Sequence, residues 1–96
     1  MINVPKNHLL TVKQILQKHV PDVEVRAFGS RVSGTVKEYS DLDLVVVGEN
    51  RINPKVLMYL KDDFEESDIT FRVEILDWHS TSDEFRRIIE QQYELI

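Results

Sequence analysis

Apolar and polar positions change period several times along the chain, and each change marks an element. Leu9, Val12, Leu16 and Val20 recur at helical spacing until Pro21, which cannot continue a helix. Residues 23–28, Val-Glu-Val-Arg-Ala-Phe, alternate at period two and predict a strand with one covered face. Leu42 to Val47 form an apolar run broken at Asp43, as expected of a strand covered on both faces. Asn53-Pro54 supplies an N-cap and first-turn pair, after which Val56, Leu57, Leu60 and Phe64 form one helical stripe. Residues 69–76 alternate again, with Ile69, Phe71, Val73 and Ile75 on one face and Thr70, Arg72, Glu74 and Leu76 on the other. Thr81-Ser82-Asp83-Glu84 has capping-box spacing ahead of Phe85, Ile88, Ile89 and Gln92 on one helix face. The expected order is helix, strand, turn, strand, helix, strand, helix, a small α/β domain with at least three core strands.

The chemistry lies between the first two strands. Gly29 ends the first, and a glycine there lets backbone N–H groups approach a ligand without a Cβ in the way. Ser30 adds a hydroxyl, and residues 30–34 suit a short helical turn whose start would favour a phosphate. Beyond ten intervening residues from Ser30 come Asp41 and Asp43, two apart and so on the same side of a strand. Strand rise places their Cα atoms about 6.5 Å apart. Two carboxylates so close repel by roughly 4 kcal/mol at 4 Å and an effective dielectric of 20. A bound Mg²⁺ would remove that repulsion. An isolated Asp-x-Asp reads best as a solvated strand entry; the upstream Gly-Ser at this distance reverses that reading.

Glu74 is the acid inside the third strand, and if that strand lies beside residues 42–47 it can join Asp41 and Asp43 around metal. Alternation alone would leave it on a solvated face. Arg72, on the same face, suits pairing with an acid better than contact with a triphosphate. Asp77 reads as a turn residue. His8, His19 and His79 lack metal-ligand spacing and suit solvated or capping roles. Trp78 reads as a core or rim residue, Tyr93 as a candidate partner contact, and Tyr39 as a cover over the strand entry or a stacking surface for a base.

The residues Gly29-Ser30-Arg31, Gly34, Ser40-Asp41-Leu42-Asp43-Leu44 and Val73-Glu74-Ile75 followed by Asp77-Trp78 resemble the minimal nucleotidyltransferase (MNT) family, within the DNA polymerase β-type superfamily. The resemblance spans nearly the whole chain. It implies a nucleotidyltransferase fold, a small mixed sheet flanked by about four helices, over residues 1–96 as one domain. It further implies that Gly29 and Ser30 hold nucleotide phosphates and that Asp41, Asp43 and Glu74 bind Mg²⁺ and form the catalytic triad of acids. ATP would be the donor. Family members usually carry Asp where this chain has Glu74, a longer arm that approaches metal at another angle. MNT proteins are often paired with a helical HEPN ribonuclease, as antitoxin to toxin, in some cases transferring AMP to a tyrosine of that partner.

Composition narrows the options further. A net charge of −5 argues against generic nucleic-acid binding, which calls for a basic face. No stretch approaches the roughly 20 apolar residues that span a bilayer, and the first residues lack a signal-peptide apolar region. Without cysteine there is no disulfide or thiolate site, and the cytoplasm is the expected compartment. In 96 residues the motif elements leave no room for an acceptor-binding domain, so the acceptor is expected on another molecule. Three functions follow: an Mg²⁺-dependent adenylyltransferase acting on a partner protein, a catalytically weak nucleotide-binding antitoxin acting by contact, and a transferase for an aminoglycoside-like alcohol, helped by homo-oligomerisation.

Overall fold

The computed structural model describes residues 2–35 and 40–96. Helix α1 (Lys6–His19) turns Val12 and Leu16 inward and ends where the Val20 N–H bonds the Leu16 carbonyl, one residue before Pro21. Strand β1 (Glu24–Phe28) leads through Gly29 into the one-turn helix α2 (Ser30–Ser33), which Gly34 closes in the left-handed conformation. Strand β2 is Leu42–Val47. Helix α3 (Pro54–Glu66) is capped as expected: the Asn53 side chain accepts from the Lys55 N–H, with proline in the first turn. Strand β3 (Val73–Asp77) runs into a 3₁₀ turn (Trp78–Ser80), helix α4 (Asp83–Gln91) and the short strand β4 (Glu94–Leu95).

The four strands form one mixed sheet in the order β3-β2-β1-β4. β1 is antiparallel to β2 and β4, whereas β2 and β3 are parallel, a pairing that needs a crossover and receives it from α3. On one face Val25, Ala27, Leu42, Leu44, Val46 and Ile75 pack with Val12, Leu16, Leu60 and Phe64 of α1 and α3. On the other, Phe28 and Val45 meet Ile89 of α4, with Leu76, Trp78 and Phe85 around them. β2 is therefore covered on both faces, as its apolar run predicts. Among the described residues no helix is long and apolar enough to cross a membrane.

Four details depart from expectation. β3 begins at Val73 and not at residue 69, because its partner β2 begins at Leu42, paired with Val73; the Leu42 N–H already bonds the Arg72 carbonyl, and earlier residues have no ladder to join. Ile69 and Phe71 still pack on the core. The cap of α4 is Ser82, whose side chain accepts from the Phe85 N–H, while the Thr81 hydroxyl donates to the Trp78 carbonyl. Ile88, expected on the apolar face, is 55% exposed, since the second core is narrow and Ile89 fills it. β4 had no counterpart in the pattern.

A polar link joins the two helices on the α1/α3 side. Asp63 of α3 meets His19 Nε2 at 2.6 Å and Lys18 Nζ at 3.4 Å. The His19 hydrogen bond, aided by Lys18, holds the Asp63 carboxyl below its ordinary 3.8 despite some desolvation. The unfolded chain therefore takes up this proton first as pH falls. The link's stabilisation is complete above the unfolded value and disappears as pH drops through the lower folded one. Thermal melts of wild type and Asp63→Asn should differ at pH 5 and converge toward pH 3; a constant difference would dissociate Asp63 ionisation from stability.

Candidate functional site

β1 delivers the chain to Gly29 beside Asp43, because Phe28 is the register partner of Asp43. Gly29 has φ 79° and ψ −159°, a conformation essentially confined to glycine. A Cβ built there would fall 2.3 Å from Asp43 Oδ2. The Gly-Ser turn thus presses its bare backbone against a carboxylate. The turn then closes on itself: the Val32 and Ser33 N–H groups bond the Gly29 carbonyl at 3.0 and 2.9 Å, and the Gly34 N–H bonds that of Ser30 at 3.2 Å.

Two of the expected acids are brought side by side across the parallel pair. Asp43 and Glu74 are direct register partners on β2 and β3, and Asp41 is exposed just ahead of β2. The half-buried Asp43 carboxyl is pushed above its ordinary value, first by burial and then by the charges of Asp41 and Glu74. Glu74 Oε2 meets Arg72 Nη2 at 2.9 Å, the acid pairing expected of Arg72. Among the described residues no three Asp, Glu or His side chains are gathered closely enough to hold a metal ion. In the Arg72–Glu74 pair the Arg72 side is 72% exposed and the Glu74 side 34%, and such largely solvated pairs contribute roughly 0–1 kcal/mol. Carboxylate oxygens are hard donors, and a cation would relieve the repulsion that raises the Asp43 pKa. In donor chemistry, though not in their present spacing, these acids suit Mg²⁺.

A groove of about 460 Å³ runs between α3 and β3, lined by Phe64, Phe71, Arg72 and Glu74 among others. It reaches the acids only at Glu74, and Gly29, Ser30, Asp41 and Asp43 do not line it, so it is not a triphosphate pocket.

The other sequence-level readings can be placed as well. Asp77 is buried and accepts from the N–H groups of Ile52 and His79 and from the Ser80 hydroxyl, fixing a turn as expected. His79 Nε2 lies 2.6 Å from the Gly48 carbonyl oxygen, and His8 sits edge-on to Phe71. Trp78 lies at the rim of the second core, with the Arg26 guanidinium 5.0 Å from its ring centroid and 4.4 Å from that of Tyr93. Tyr39 lies outside the described residues. Sequence reasoning assigned no role to Arg31, which is buried beside the turn. A cation directly after Gly-Ser, in a chain with acids ten positions on, was the available signal.

The profile of the family "Polymerase beta, Nucleotidyltransferase" matches residues 11–96. A Haemophilus influenzae protein, "Probable protein adenylyltransferase MntA", is 46% identical over 95 residues, covering 99% of this chain and 83% of its own length. The chain belongs to the minimal nucleotidyltransferase family. Two solved structures share the MNT fold. One, a toxin–antitoxin with AMP-PNP, gives a TM-score of 0.74 at 21% identity over 90% of this chain and 69% of the other. The second, a tri-AMPylated Shewanella oneidensis HEPN toxin in complex with MNT antitoxin, gives 0.64 at 19% identity over 91% and 69%. As an MNT protein the chain is a nucleotidyltransferase, with a nucleotide such as ATP as its substrate.

Proposed function

We propose that residues 1–96, as one MNT domain, transfer AMP from ATP to a hydroxyl of a partner protein, and that the partner is a HEPN ribonuclease for which this chain is the cytoplasmic antitoxin. The observation that carries the reading is the contact of the Gly29 turn with Asp43, which is itself paired in register with Glu74. That contact supports a turn that receives phosphate next to the acids. The partner is inferred from the HEPN–MNT complex that shares this fold and from the adenylyltransferase relative.

In this mechanism Gly29 and Ser30 hold triphosphate oxygens through backbone and hydroxyl donors. Asp41, Asp43 and Glu74 would hold Mg²⁺, which when bound would neutralise phosphate charge and acidify the acceptor hydroxyl. The acceptor oxygen attacks the α-phosphorus in line, forming a new P–O bond as the bond to the bridging α–β oxygen breaks. Pyrophosphate leaves with that electron pair, and a carboxylate of the triad takes the hydroxyl proton. Positioning and charge stabilisation do most of the work.

Purified protein incubated with labelled ATP, Mg²⁺ and its co-expressed partner should place label on the partner, and Asp41→Ala should prevent it. Mg-ATP at 100 times its Kd should stabilise the protein by about 2.7 kcal/mol, a gain lost in Asp41→Ala. Undiminished labelling by that variant would overturn the site. The Glu74–Arg72 pair favours a second reading, an antitoxin that neutralises its partner by contact with weak catalysis. Full suppression of the toxin by Asp43→Ala would select it.

A further inference from the structure

The geometry points to Arg31 as a positioning residue, whose guanidinium ties the Gly-Ser turn to the entry of β2 and so sets how Asp41 and Asp43 present themselves to a divalent cation. The inference rests on the metal-holding role proposed above for those two acids.

Arg31 follows Ser30 directly and is 4% exposed, unusual for a cation unless its donors are satisfied. Its Nε donates to the carbonyl of Ser40, the residue before Asp41, at 2.8 Å. Its Nη1 donates to the Asn3 carbonyl at 2.9 Å, and the Asn3 N–H returns a bond to the Arg31 carbonyl at 2.7 Å. The guanidinium lies over the Phe71 ring, 3.8 Å from its centroid, two residues before β3 begins. One side chain therefore touches the segment before α1, the entry to β2 and the approach to β3, from a base in the phosphate turn. The planar fork suits this task. It presents two directed donors and a stacking face at once, which a lysine ammonium cannot. With Nε and Nη1 each donating to a backbone carbonyl, the side chain reaches the acids through Ser40, the residue before Asp41.

The test is Arg31→Lys, read by Mn²⁺ binding to the nucleotide-free protein in electron paramagnetic resonance and by the Mg²⁺ dependence of AMP transfer. Displaced support of metal ligands weakens metal binding by about 10–100-fold. Mn²⁺ affinity should fall by that factor, the Mg²⁺ requirement should rise in parallel, and saturating Mg²⁺ should restore kcat. At saturating Mg²⁺ the KM for ATP should stay within about threefold of wild type, since uniform nucleotide binding is untouched. Unchanged Mn²⁺ affinity, or a raised KM for ATP without it, overturns the inference. Asp41→Ala in the same titration separates the two levels. If it binds Mn²⁺ as wild type does, the metal site itself is wrong; if it loses Mn²⁺ while Arg31→Lys does not, the Arg31 role alone falls. Should Arg31→Lys fail to fold, Arg31→Gln also breaks up the fork that bonds the Ser40 and Asn3 carbonyls, and unchanged Mn²⁺ affinity in that variant is equally fatal.

Discussion

Asp43→Asn is expected to lower the rate of AMP transfer by about 10²–10³-fold, the usual cost of deleting one preorganised electrostatic contact, while making the free protein more stable. The two effects share one cause. Asp43 is half-buried, with Asp41 and Glu74 close enough to oppose its charge. Its folded pKa lies above the unfolded one, so over the interval between them the folded state holds the extra proton. Stability therefore falls as pH rises from the unfolded value through the folded one, and at neutral pH the ionised carboxylate is a standing cost. Asparagine removes that charge with little change of shape. Without metal, the variant should melt above wild type at pH 8 and alongside it near pH 3.5. Each kcal/mol gained corresponds to about 4–8 °C in a domain of this size. Addition of Mg²⁺ should stabilise wild type and close the gap. Equal melting temperatures at pH 8 without metal would show that the three acids are not in electrostatic conflict.

Such conflict is legible in sequence because strand parity is rigid. Two residues apart on one strand means one side, so Asp41 and Asp43 are expected together from sequence, although β2 begins only after Asp41. Glu74 needed a further step, the adjacency of β3 and β2, which follows from a helix lying between two strands in the chain. The features that escaped depend on partners distant in sequence. β4 exists because Glu94 and Leu95 find Ala27 and Arg26 across the edge of β1; two residues carry no period of their own. The start of β3 is decided by where β2 starts. Arg31 reads as a surface cation until Asn3, Ser40 and Phe71 are seen around it. Ile88 has the right helical phase to be buried, yet the sheet offers that side of α4 too little surface to cover it.

Glu74 shows how a local pattern and a site can compete for the same side chain. Arg72 and Glu74 share a face of an alternating segment, and they pair. The same alternation makes Glu74 the partner of Asp43. The longer glutamate arm can serve either neighbour, whereas an aspartate at this position would reach less far toward Arg72. The pair is largely solvated and therefore weakly held.

Gly29→Ala should remove AMP transfer and lower stability together, because it strikes backbone and site at once. The φ and ψ of Gly29 fall where residues with a side chain lose about 1–3 kcal/mol. The new methyl would also sit 2.3 Å from Asp43 Oδ2 and 3.2 Å from its carboxyl carbon, so the acid has to move. Gly34→Ala separates the two contributions. Gly34 also has positive φ, at 93°, but a Cβ there meets nothing within 4 Å. It should cost stability through backbone strain while leaving the acids in place. The expected order of activity is wild type, then Gly34→Ala, with Gly29→Ala near background. A double-mutant cycle assigns the difference to a single contact: in an Asp43→Ala background the carboxylate is gone, and Gly29→Ala should destabilise by less than it does in wild type. Equal costs in the two backgrounds would mean that the turn and the acid do not press on each other, and the activity loss would then need another cause.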